Sequence, residues 1–299
     1  MATPKAEVDL DHEQVRELLA SQHPDLAGLP ITPLDAGWDN QMWRLGPEWV
    51  VRLPRRALAA QLIVNEQRWL PEVARGLEIA IPVPARIGKP EFGYPWHWSI
   101  VPWFDGETAD RLPLAQEEAP RLAQVLRALH QPAPRAAPVN LVRGCPLADR
   151  CIAFEERLHR VQTQTPCYGP ELATAWQRGL QAPVAKRRCW LHGDLHARNV
   201  LVRNGALQAI IDWGDITAGD AATDLASVWM LLSSHQARQT ALASYEADAA
   251  LRARSMAWAI LFGVILLDTG LVDHPAHERM GRVTLARVTA DLRETSGRS

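Results

Sequence analysis

The sequence predicts an α+β protein of two lobes, a small β-rich N-terminal lobe over residues 1–103 and a larger, mainly helical C-terminal lobe over 104–299. Three observations carry this. Up to Trp103 the chain shows β-rich runs and one prominent helical pattern. From Gly106 onward, six segments carry apolar residues at helical spacing. The exception in that second part is a stretch around Asn204-Gly205, a strong hairpin signal. With 299 residues, the chain is long enough for each lobe to bury a core of its own.

Taken in order, Val15, Leu18 and Leu19 mark a short amphipathic helix over 11–20. Ile31 to Leu45, interrupted by Gly37-Trp38-Asp39-Asn40, reads as a hairpin that feeds a third strand, Trp49 to Leu53, ended by Pro54. Leu62, Ile63, Glu66, Trp69 and Leu70 give a helix over 57–70 that Pro71 closes or kinks. Trp96 to Trp103 is a further strand. The helical segments then run over 117–130, 148–160, 170–181, 221–232, 251–271 and 277–292, and the prolines of 131–146 mark a loop. Within 189–213, Val200 to Arg203 and Ala206 to Ile211 flank the Asn204-Gly205 turn.

Composition narrows the class. A formal net charge of -2, with 22% charged and 47% hydrophobic residues, fits a globular enzyme and gives no basic stripe for nucleic acid. The first twenty residues are too charged for a signal-peptide core. The apolar run Ala257 to Leu267 falls short of the roughly 20 residues that span a bilayer, so a cytoplasmic protein with a buried helix is expected. Cys145, Cys151, Cys167 and Cys189 have neither zinc-site nor disulfide spacing. Lysine occurs only at Lys5, Lys89 and Lys186, so a cationic catalytic role falls to arginine.

The chemistry gathers in His192-Gly193-Asp194-Leu195-His196-Ala197-Arg198-Asn199 and at Asp212. A two-residue turn at 204 and 205 sets Asn199 opposite Ile210. Period-two alternation then puts Asn199 and Asp212 on one face, about 7 to 8 Å apart at their backbones. One carboxylate and one amide oxygen form the incomplete cage that magnesium completes with water and phosphate oxygens. Asp194 falls in a loop beside that ion, where a base that orients a nucleophile belongs. His192 and His196 are expected to hold the loop by hydrogen bonds, and Asp220 and Asp224 to cap a helix and favour its first turn.

The spacing His-x-Asp-x-x-x-x-Asn, followed by Asp212-Trp213-Gly214, resembles the catalytic loop and metal-binding element of protein kinases. Gly193 in place of the usual Arg, together with His196 and the downstream Gly219-Asp220-Ala-Ala-Thr-Asp224, is more similar to the aminoglycoside phosphotransferase family. The resemblance implies a bilobal, protein-kinase-like fold and transfer of the γ-phosphoryl group of ATP or GTP to a hydroxyl of a small molecule. Asp194 would be the base, and Asn199 and Asp212 would be the Mg2+ ligands.

On the nucleotide side the resemblance places Arg52, on the third strand, where kinases use a lysine, and sets Glu66 on the following helix to orient it. Gly37 falls in the phosphate-covering loop, which lacks a glycine-rich spacing. Pro102, through its carbonyl, and Phe104, through its amide, stand at the adenine-binding hinge. Two other readings stay open: a nucleotide-binding pseudokinase, motivated by Arg52, and a metallophosphoesterase, suggested by Gly193-Asp194-Leu195-His196. Ala197 and the lack of a Gly-Asn-His motif count against the second. The acceptor stays open among aminoglycosides, macrolides and metabolites, as does any part in antibiotic resistance. Residues 215–299 hold ten acids against eight arginines, hardly the acidic surface a polycation prefers. Expected partners are the nucleoside triphosphate and this acceptor, with neither nucleic acid nor membrane, in a monomer or homodimer.

Overall fold

A computed structural model describes residues 5–34, 38–185 and 187–296. Helix α1 (His12–Gln22) begins on a capping box: Asp11 accepts from the Gln14 amide while the Gln14 side chain accepts from the Asp11 amide. Strands β1 (Ile31–Pro33), β2 (Asn40–Leu45) and β3 (Trp49–Pro54) follow, then helix α2 (Ala57–Val73) and strands β4 (Arg86–Gly88) and β5 (Trp98–Pro102). The five strands form an antiparallel sheet in the order β1-β2-β3-β5-β4. Strand β4 lies between Pro71 and Trp96, where no element was expected from sequence. A Cβ at Gly88 would stand 1.8 Å from the Trp98 ring, so only glycine lets β4 lie over that indole. Pro71 does not close α2, which continues to Val73.

The second part is mainly helical. Strand β6 (Glu107–Thr108) precedes α3 (Ala119–Leu129), α4 (Cys151–Gln162) and α5 (Pro170–Gln181). Strands β7 (Cys189–Leu191), β8 (Val200–Arg203), β9 (Ala206–Ile210) and β10 (Thr217–Gly219) come next. Helices α6 (Ala222–Leu225), α7 (Ser227–Leu231), α8 (His235–Ser244), α9 (Ala249–Asp273) and α10 (Pro275–Ser296) complete the chain. The expected segment 221–232 is thus two short helices, and α8 was not expected.

The hairpin corrects the register read from sequence. Near the turn Arg203 faces Ala206 and Val202 faces Leu207, but Leu201 then faces Ala209 and Val200 faces Ile210. One extra residue on β9 is a bulge. Asn199 therefore lies opposite Ile211, whose amide donates to the Asn199 carbonyl at 2.9 Å, rather than opposite Ile210. Asp212 follows at once in a left-handed conformation, φ 59°.

Two buried clusters organise the molecule. The smaller joins α1 to the sheet through Leu18, Leu19, Trp43, Val51, Trp98 and Ile100. The larger centres on α9 and takes in Trp69, Leu70 and Val73 from the end of α2, where Trp69 packs against Trp190 at 5.3 Å. Helix α9 is long and apolar enough to cross a membrane, yet its most apolar window is 78% buried inside the protein, which makes it the core helix of the second part.

Candidate active site

The loop from His192 to Asn199 joins β7 to β8, and a buried acid pins it. Asp224, fully buried, accepts from the His192 amide at 2.7 Å and the Gly193 amide at 2.9 Å. Asp224 is thus more than the first-turn carboxylate expected from sequence, because its main partners lie across the fold. Asp220 does meet the Ala222 amide at 3.1 Å, and it also takes Arg254 as a fork, 2.6 Å at Nε and 3.2 Å at Nη2. Gly193 has φ +88°, and a Cβ there would stand 2.6 Å from the Asp215 carbonyl oxygen. An Arg at this position, as in protein kinases, does not fit.

His192 is a loop-holding residue, as expected. Its Nε2 donates to the Ile211 carbonyl at 2.9 Å, its Nδ1 accepts from the Asp194 amide at 3.2 Å, and its ring packs on Trp213. His196 departs from expectation. Its Nε2 lies 3.5 Å from Asp194 Oδ2, while its Nδ1 is buried without a hydrogen bond among the described residues. Burial first, and the charges of His192 and Arg198 next, hold it below the ordinary imidazole value against the pull of Asp194 and Asp212.

Asp194 is a carboxylate among cations. Arg143 Nη2 meets its Oδ1 at 3.0 Å. Burial works to raise the carboxyl, but Arg143, His196 and His192 outweigh it and keep it below the usual carboxylate range. The Asp194 backbone carbonyl accepts from Asn199 Nδ2 at 2.9 Å, so the Asn199 amide is fixed with its Oδ1 left to accept. Asp212, turned outward by its positive φ, keeps its side chain 59% exposed.

Arg52 ties the two parts together. On β3, only 5% exposed, it donates from Nη1 to Glu66 Oε1 of α2 at 2.6 Å and from Nη2 to Asp212 Oδ1 at 3.4 Å. The arginine, the helix glutamate and the carboxylate after the hairpin therefore form one cluster. Asp39 shares it too: it pairs with Arg56, and burial, Asp212 and Asp194 push its carboxyl up. Trp38 packs on His277 at 5.5 Å, so this segment reaches α10. Gly37 lies outside the described residues. Pro102 ends β5 and Phe104 follows in the connection, both half-buried, while the Trp103 amide between them donates to the Glu48 carbonyl at 2.7 Å.

The donor set suits a hard divalent cation. Asp212 offers exposed carboxylate oxygen whose one ion pair is long, and Asn199 offers an amide oxygen from the residue opposite Ile211; with the shifted register, period-two alternation no longer sets the two on one face. Among the described residues no group of three or more His, Cys, Asp or Glu side chains could hold a metal unaided.

Arg143, Asp215 and Arg150 escaped the sequence reading. Asp215 accepts from Asn140 Nδ2 at 2.6 Å, and its carboxyl is pushed up to about 6 by burial, with Asp194 and Asp212 adding to the shift against Arg143. Its place next to Asp212-Trp213-Gly214 was a usable signal. Arg143 sits in a proline-rich loop 51 residues before its partner and gave none.

A model of the phosphotransferase enzyme family matches residues 30–258. No curated protein matches the chain. Among solved structures, the GDP complex of wild-type aminoglycoside 2'-phosphotransferase-IIIa is 18% identical, with a TM-score of 0.69 over 94% of this chain and 100% of that one. The macrolide 2'-phosphotransferase MphH from Brachybacterium faecium is 20% identical, with a TM-score of 0.58 over 91% of this chain and 97% of its own. A streptomycin–ATP ternary complex of APH(2")-IIa is 19% identical, with a TM-score of 0.57 over 87% and 91%. At these identities the likeness is one of fold. The family match spans most of the sequence, and the chain belongs to the phosphotransferase enzyme family.

Proposed function

We propose that the protein transfers the γ-phosphoryl group of ATP or GTP to a hydroxyl of a small molecule, with Asp194 as the base. The observation that supports this reading is that Asn199 bonds the Asp194 carbonyl and lies opposite Ile211, while Arg52 of β3 reaches Asp212, the next residue. Neighbouring structures hold GDP in one case and ATP in another, so both donors stay in the proposal.

In the transfer, the acceptor hydroxyl oxygen forms a bond to the γ-phosphorus as the bond to the β-phosphate oxygen breaks, and the hydroxyl proton passes to Asp194. Its Oδ2 is the receiving atom, because Oδ1 is held by Arg143. A carboxylate held below its usual range is a weak base but is ionised at neutral pH. That suits a loose transition state, in which the hydroxyl loses its proton late and positioning supplies much of the rate. Asn199 and Asp212 would hold Mg2+, which when bound neutralises charge on the β- and γ-phosphate oxygens. Arg52 presents a guanidinium fork to phosphate, oriented by Glu66 and shielded from water. Pro102 and Phe104 offer backbone groups to the base of the nucleotide, and the segment from Trp38 to Asn40 covers its phosphates. The lobe boundary at 103 and 104 fits this division, with the sheet on the nucleotide side.

The test is nucleotide consumption with a panel of hydroxyl acceptors, with and without magnesium, in wild type and Arg52→Ala. Magnesium-dependent transfer that Arg52→Ala weakens through a raised nucleotide KM is expected. Nucleotide binding with no transfer to any acceptor would instead favour a binding-only module.

A further inference from the structure

Resting on the phosphotransferase reading, we infer that the acceptor carries an anionic group, a carboxylate or another oxyanion, which is held by Arg143 and Arg150 on the side of Asp194 away from Arg52. The side chains around Asp194 divide in two. Toward β3 lie Asp212, Asp39 and the Arg52–Glu66 pair. On the other side Arg143 reaches Asp194 while its guanidinium lies over the Phe262 ring of α9 at 5.0 Å. Arg150, at the start of α4, and Arg157 on the same helix continue this wall.

Charge along the wall is unbalanced. Arg157 donates to Asp268 at 2.7 Å, but the same carboxylate also takes Arg160 through two bonds of 2.9 and 2.8 Å, so one acid serves two arginines. Arg143 is shared between Asp194, whose other oxygen the reaction needs, and the nearby Asp215, whose carboxyl burial pushes up. Arg150 makes no ion pair among the described residues, and its Nε, like that of Arg143, is buried without a hydrogen bond. Burial, with Arg143 and Arg157 nearby, holds the Arg150 guanidinium below its ordinary value, as expected of a cation among cations. Asp149, its neighbour in the chain, is exposed.

In the β7–β8 loop itself Arg198 donates to His274 Nε2 at 3.3 Å and His277 Nε2 at 3.5 Å, so its partners are imidazoles rather than carboxylates. A buried donor without an acceptor costs stability unless a ligand fills the place, and Arg143 and Arg150 each keep an Nε donor that an oxyanion would satisfy. A polycationic acceptor would bring ammonium groups against Arg143, Arg150 and Arg198, where like charges repel.

Three six-carbon polyols that differ at one terminus test the inference: D-gluconate (carboxylate), D-sorbitol (neutral) and D-glucamine (ammonium). Their affinities are measured by calorimetry on the full chain with magnesium and a non-hydrolysable ATP or GTP analogue. Gluconate is expected to bind at least about tenfold tighter than either of the others, a difference near 1.4 kcal/mol. Arg150→Gln should reduce that preference to about twofold or less while keeping the sorbitol affinity, and Arg150→Lys should restore part of it. Glucamine binding as tightly as gluconate, an unchanged preference in Arg150→Gln, or no discrimination among the three would overturn the inference. If the chain binds the nucleotide analogue but prefers glucamine, only the acceptor charge is wrong. If it binds no nucleotide, the phosphotransferase reading has failed first.

Discussion

Arg52 and Glu66 are one buried pair on which both stability and the proposed nucleotide contact would rest. Burial pushes the Glu66 carboxyl up, and the guanidinium at 2.6 Å opposes that. Removing one partner leaves the other charge stranded in the interior, which costs about 3–5 kcal/mol. Glu66→Ala is therefore expected to lower the unfolding free energy by about that amount, measured by urea denaturation. The double change Arg52→Met with Glu66→Leu should recover most of that stability and still lose nucleotide affinity. If the double variant were as unstable as Glu66→Ala, packing rather than the stranded charge would be the cause. At this scale the sequence was informative where residues of one reaction stand close together, as Asp194, Asn199 and Asp212 do. Arg52 and Glu66, on adjacent elements, were also legible. Arg143 and Arg150 were not, because arginine outside a periodic run has no pattern: Arg143 is marked only by its contact with Asp194 across the fold, and Arg150 only by its burial without an ion pair among the described residues.

Among elements, the β7–β8 loop depends on Asp224 of α6 and on a glycine conformation at Gly193. Gly193→Ala adds a Cβ 2.6 Å from the Asp215 carbonyl at φ +88°. The backbone conformation alone costs about 1–2 kcal/mol. The expected outcome is a lower melting temperature and a large fall in kcat; unchanged values for both would show that the loop tolerates the shift. The junction of α9 and α10 gives a pH prediction. His277, stacked on His274 at 3.9 Å, is held down to about 3 by burial first, then by His274, His196 and Arg198. A histidine depressed in the folded state favours folding while neutral. Its contribution is present above the unfolded value near 6.5 and is lost as pH falls from there toward about 3. Each unit of displacement is worth about 1.4 kcal/mol. His277→Gln keeps an acceptor for Arg198 and should lose stability less steeply than wild type between pH 6.5 and 4; parallel curves would contradict the assignment. The longer helices and the main strands were legible from period and punctuation, but β4, β6 and β10, at two or three residues each, are too short to show a period. Helix α8 was missed because His235–Ser244 carries few large apolar residues, and the β9 bulge was missed because turn arithmetic assumes unbroken pairing.

The whole molecule is a sheet-bearing part and a helical part joined through α2, whose Glu66 and Gln67 reach β3 and β5 and whose end packs Trp69 into the core around α9. That path links Glu66 and Arg52 to the second part, and the Arg52–Asp212 contact closes it from the other side. Such a body predicts that nucleotide binding and transfer separate by residue, with binding set by groups shared between the parts and transfer set by the β7–β8 loop. The most direct measurement compares Asp194→Ala with wild type for nucleotide affinity by calorimetry and for magnesium-dependent transfer to an accepted hydroxyl compound. The expected result is affinity within about threefold of wild type, with a transfer rate lower by about 10²–10⁴. Full transfer by Asp194→Ala would contradict the account.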